Sequence, residues 1–143
     1  MSQLIQEHFE PVRVNAISQS DLYQKMAGRF DVNWTPTVLV LDAEGKERHR
    51  IAGYVPPPSF ASQFLLGLGH AAFAAKKFAE AEERFRQVVE KYPNTPEAPE
   101  AVYWTGVSKY KATGDAAALK ETAQRFADRY QDSTWATKAS VWK

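Results

Sequence analysis

The sequence has 143 residues and not one cysteine. That absence excludes disulfides, thiol nucleophiles and thiolate metal ligands within it. Histidine is scarce: His8, His49 and His70 fall on separate segments without a metal-ligand spacing, so surface or packing roles are expected for each. Charge of one sign is also lacking, since 18 basic side chains face 17 acidic ones and leave a net charge of +1. A nucleic-acid partner needs a concentrated basic surface and is therefore not expected. The cluster Lys46, Arg48, His49, Arg50 is broken by Glu44 and Glu47 and reads as the solvated face of a strand. No apolar run reaches the roughly 18 residues that span a bilayer, which predicts no membrane insertion. Residues 1–10 carry charges and no apolar core of a secretory signal, so the sequence as written predicts a cytoplasmic product. An additional upstream segment would redirect that expectation to the cell envelope.

Chemistry-bearing patterns are missing as well. Gly67 and Gly69 sit inside a helical pattern and form no phosphate loop. Serines and threonines lack a nucleophile-elbow setting. Glu80, Glu82, Glu83 and Glu90 belong on or beside the polar face of one helix, where carboxylates do not converge for acid–base work. No catalytic, cofactor-binding or metal-binding residue is expected.

What is present changes character near residue 58. Leu4, Ile5 and Phe9 predict a short helix ended by Pro11. Val12, Val14 and Ala16 alternate as a strand would. Ser20 reads as the N-cap of a helix with Leu22, Tyr23, Met26, Ala27 and Phe30 on its apolar face. Thr37–Leu41 is a continuous apolar run, as in a strand buried on both faces. Asp42-Ala43-Glu44-Gly45 reads as a turn into an antiparallel strand that closes at Gly53. After Pro56-Pro57-Pro58, Ser59 is placed to cap a helix striped with Phe60, Phe64, Leu65 and Leu68. A second helix carries Phe78, Ala81, Phe85, Val88, Val89 and Tyr92 on one face and stops at Pro93-Asn94-Thr95-Pro96. A third is expected over 98–112, before Gly114, a fourth over about 116–130, and a stub around 135–142.

Two resemblances follow from these residues. Arg29 to Thr37, with Thr35-Pro36 ahead of an apolar strand, a tight turn and a strand ending at Gly53, resembles the second half of a thioredoxin. That resemblance covers about residues 1–68 and implies a cis Thr35–Pro36 bond in a loop of Trp34, Thr35 and Pro36. The family's central strand and Cys-x-x-Cys helix would align ahead of Met1. Leu68-Gly69, Phe78, Ala81, Phe85 and Pro93 resemble a tetratricopeptide repeat, whose small residues let paired helices approach. A second copy begins at Ala101-Val102-Tyr103-Trp104-Thr105-Gly106, and Gly69 and Gly106 stand 37 residues apart. These repeats are most similar to those of bacterial TolA-binding and outer-membrane-assembly lipoproteins. The expected fold class is α/β then all-α: a truncated thioredoxin-like sheet over 1–58, its last helix running to about 68, then a helical repeat array over 59–143.

Together the resemblances imply a protein-interaction module with a redox-inactive thioredoxin-like scaffold, a protein or peptide partner and no cofactor. The alternative they imply is a fragment of a thiol–disulfide oxidoreductase, serving cell redox homeostasis, whose Cys-x-x-Cys lies upstream. Tyr103, Trp104, Tyr110, Trp135 and Trp142 crowd the last third and are the candidate partner-binding residues, with core packing of stacked repeats as their other reading. The thioredoxin resemblance implies that the missing central strand would lie between 12–15 and 37–41, and the edges so left open imply that these strands pair directly and that the chain forms a homodimer.

Overall fold

The computed structural model describes residues 2–143. Its packing divides into two compact units, Met1–Thr37 with Ala52–Tyr54, and Val38–Ile51 with Val55–Lys143. The β-hairpin therefore belongs mostly with the helices that follow it, not with the segment that precedes it.

In the first unit, α1 spans Ser2–His8 and α2 spans Ser20–Phe30. The expected strand over Val12–Ala16 does not form. Val12 and Ile17 are 85% and 92% exposed. Alternation alone does not hold a strand, whose backbone groups need a neighbouring ladder, and here a local competitor takes them. Asn15 Oδ1 accepts from the backbone N–H of Ile17 at 2.9 Å and of Ser18 at 3.0 Å, while Gln19 Oε1 accepts from Asn15 N–H at 2.9 Å. This side-chain turn consumes Ala16 and leads into α2. It also displaces Ser20 from its expected capping role: Ser20 is the first helical residue, Gln19 precedes it, and no side-chain cap bond forms. The predicted pairing of 12–15 with 37–41 is overturned, because among the described residues the sheet has two strands, β1 and β2, bonded to each other.

These are β1, Thr37–Leu41, and β2, Glu47–Ala52. The turn between them is built by Asp42 and Gly45. Asp42 Oδ1 accepts from the N–H groups of Glu44 and Lys46 at 3.1 and 2.9 Å, and Gly45 takes the left-handed conformation at φ 75°. Arg48 reaches back to Asp42 and Arg50 to Glu47, each at 2.7 Å, so the basic cluster is largely neutralised by its own hairpin. Val40 and Ile51 supply the hairpin's buried apolar surface.

Five helices follow: α3, Pro57–Ala74; α4, Phe78–Lys91; α5, Ala98–Thr113; α6, Ala117–Asp128; and α7, Thr134–Ala139, which runs into a 3₁₀ turn at Ser140–Trp142. Helix α3 starts on prolines, where a missing N–H costs nothing, so Ser59 lies inside the first turn and is buried instead of capping. Ser133 does cap α7, accepting from Trp135 and Ala136 N–H. Helices α3 and α4 pair as expected through Gly69 and Phe85: a β-carbon on Gly69 would sit 2.5 Å from the Phe85 ring. The second pair repeats this with α5 and α6, where a β-carbon on Gly106 would collide with Thr122. Both contacts join residues 16 apart, and the two are 37 residues apart in sequence. Ala81, Phe85 and Val88 are fully buried and form the centre of the first pair.

Candidate functional site

The thioredoxin-like loop lies in the first unit. The Thr35–Pro36 peptide is cis, as the resemblance implied. Thr37 Oγ1 donates to Trp34 O at 2.6 Å and Gly53 N–H donates to Pro36 O at 2.8 Å, fixing the loop against the close of β2. Trp34 is 69% exposed, and Tyr54, next to Gly53, is exposed too. Both rings present apolar surface, and the sequence contains no thiol to act beside them.

The aromatic residues of the last third are brought together, with one exception. Trp104 on α5 meets Phe73 of α3 with ring centroids 5.1 Å apart and His70 at 5.2 Å, both edge to face. It also stacks on Phe85 of α4 at 6.2 Å. Phe73 continues the row to Phe78 at 5.1 Å. On its other side Trp104 meets Tyr103 at 5.7 Å, and Tyr103 stacks on Trp142 at 4.8 Å and tilts against Trp135 at 5.1 Å. The resulting row reads Phe78, Phe73, Trp104, Tyr103, Trp142, and every ring in it is half-buried. Tyr103, Trp135 and Trp142 pack on a buried cluster of Val102, Phe126 and Ala139. Packing thus covers part of each of these rings and leaves each partly exposed. Tyr110 lies near the end of α5, is exposed, and is not part of the row. Trp104 Nε1 is buried without a hydrogen-bond partner, so its indole is held by packing and not by a hydrogen bond.

A polar constellation missed in the sequence lies at the edge of this row. His49 on β2 and His70 on α3 stack with centroids 6.2 Å apart. His49 Nε2 is 2.8 Å from Gln63 Oε1, Gln63 Nε2 donates to Glu97 Oε1 at 3.2 Å, and His70 Nε2 is 3.0 Å from Glu100 Oε1. Burial pushes His49 below the ordinary imidazole range; the Gln63 hydrogen bond opposes this, and the neighbouring His70 reinforces it. The available signal was the stripe Gln63, Gly67, His70 at helical spacing, with Gly67 marking a close approach to His49 and Val40. His8 stays apart on α1. Among the described residues, no group of three or more histidine, aspartate or glutamate side chains is arranged to hold a metal ion.

Comparison with known families agrees with this architecture. The family described as thioredoxin-like domain matches residues 1–65, and that described as tetratricopeptide repeat matches residues 63–95. No curated protein and no solved structure matches the chain. The two matched segments meet inside α3, so the chain carries a thioredoxin-like domain segment followed directly by a tetratricopeptide repeat.

Proposed function

We propose that the chain is a protein-interaction module whose aromatic row on the paired helices holds a protein or peptide partner, with the thioredoxin-like segment as scaffold. The continuous spacing from Phe73 through Trp104 and Tyr103 to Trp142 carries this reading. Rings already fixed by packing offer apolar area at little further entropy cost, which is why aromatic anchors dominate binding surfaces. The homodimer expectation rested on open strand edges at 12–15 and 37–41; no strand forms at 12–15, and the homodimer is not carried into this reading.

A photo-crosslinking amino acid tests it directly. Placed at Phe73 or Tyr103 it should yield a discrete adduct with one partner in the native cell. Placed at Arg86, on the exposed face of α4, it should not. Equal adducts at all three positions would refute the row as the binding surface.

A second reading is favoured by the exposed Trp34 beside Pro36: part of a thiol–disulfide oxidoreductase whose cysteine pair is supplied from outside this sequence. Amino-terminal sequencing of the endogenous polypeptide separates the two, since a Cys-x-x-Cys segment ahead of Met1 would favour the oxidoreductase.

A further inference from the structure

The cluster on α3 has a geometry that dictates its protonation. A carboxylate only accepts hydrogen bonds. Glu97 therefore fixes which way round the Gln63 amide sits, and the Gln63 oxygen in turn requires a proton on His49 Nε2. Glu100 sets the same condition on His70. Both neutral rings are Nε2–H tautomers, and Nδ1 is the atom on each that takes up a further proton. The rings lie nearly parallel, 14° apart in plane, across the seam between β2 and α3.

We propose that His49 and His70 form a proton-operated latch that seats the β1–β2 hairpin on α3. With both rings neutral the latch is closed. Each Nε2–H is then satisfied, and Val40 and His49 bear on α3 at Gly67. One proton on the pair is accommodated, because Glu100 adjoins His70 and Glu97 lies beyond Gln63. A second proton sets two cations face to face in a seam where burial already opposes charging His49. The other nearby charges give no relief. Arg48 is held by Asp42, Glu47 is held by Arg50, and the rings of Phe85 and Trp104 that meet His70 are uncharged. Acidification thus loosens the hairpin from α3 and leaves the α4–α6 packing intact.

Imidazole NMR on the full chain, from about pH 8 down to about pH 4.5, reads each ring across the imidazole range. Amide hydrogen exchange, corrected for its intrinsic pH dependence, reads the hairpin. The His49 ring should titrate below the ordinary imidazole range. The amides of Arg48–Ile51 should lose protection by up to about tenfold per pH unit while the second proton binds, and those of Phe85 and Val88 should keep theirs. His49→Gln should flatten the pH response of the hairpin. His70→Gln, which removes the cationic neighbour, should move His49 titration to higher pH. The proposal is overturned if hairpin and α4 amides lose protection together, if His49→Gln responds to pH as the native chain does, or if His49 titrates identically with and without His70.

Discussion

The contact between Gly69 and Phe85 can be tested by a substitution whose sign should reverse with its surroundings. Phe85 has no exposed surface, and its ring lies where a β-carbon on Gly69 would be. Phe85→Ala removes most of a side chain that buries about 150 Å² or more. At about 25 cal/mol per Å² that is close to 4 kcal/mol, and measured truncations of buried phenylalanine cost about 3–5 kcal/mol. In the native background Gly69→Ala drives a methyl to within 2.5 Å of that ring. Overpacking of this kind costs about 1–3 kcal/mol, partly offset by about 1 kcal/mol of helix propensity. With Phe85 already alanine, the methyl enters the space that the ring vacated. Gly69→Ala should then stabilise the chain by about 1–2 kcal/mol, from propensity plus one buried methyl. The expected coupling is about 1–4 kcal/mol, which spans the upper part of what contacting residues show. Urea unfolding followed by far-ultraviolet circular dichroism on the four chains measures it. A Gly69→Ala effect of the same sign and size in both backgrounds would refute the packing described.

Two further outcomes are expected. Lys46 N–H holds the Asp42 carboxyl below its ordinary value of 3.8; burial, the next effect in size, opposes it, and Arg48 and Glu44 N–H add to the lowering. A depressed carboxyl stabilises the fold above that value and loses its effect as pH falls through the folded value. The difference in denaturation midpoint between the native chain and Asp42→Asn should therefore be present near neutrality and vanish in strong acid; a difference independent of pH would contradict the role assigned to this carboxylate. The sequence has no sulfur beyond Met1 and Met26, so the protein should not accelerate insulin reduction by dithiothreitol over a protein-free control.

Much of this fold was legible because its signals are local. Residues 37–41 read as a strand, Asp42 and Gly45 as a turn, Gly114 as the end of a helix, and Ala81 and Phe85 as a buried face, and each is so, although the strand expected to be buried on both faces buries only Val40 and exposes Leu41. What failed depended on competition or distance. Val12, Val14 and Ala16 have the right alternation, yet Asn15 between them offers the backbone a turn that needs no second strand. Ser20 and Ser59 look like caps in sequence, but the helices begin at Ser20 itself and at Pro57, so neither side chain is free of its helix. The abundance of rings after residue 100 was visible, whereas their partners depend on how helices cross. Tyr110 is as aromatic as Tyr103, but it lies seven residues further along α5 and outside the row. His49 and His70 were the hardest to foresee, since 21 residues separate them and only the seating of β2 on α3 brings them together.

That seating explains why α3 has apolar and small residues nearly all round, unlike the two-faced α4 and α6. Gly67 meets Val40 and His49 of the hairpin, and Gly69, two residues on, meets Phe85 of α4. Two residues turn a helix by about 200°, so the hairpin and α4 approach α3 from opposite sides. Gln63, Gly67 and His70 fall on the hairpin side at helical spacing, which is why the histidine cluster and the close approach coincide. A helix clasped from both sides has no wide polar face to give to solvent. It also explains how one family match can end, at residue 65, just after the other begins, at residue 63. The last helix of the first segment is the first helix of the repeat, and a change at Gly67 is felt by the hairpin while a change at Gly69 is felt by α4.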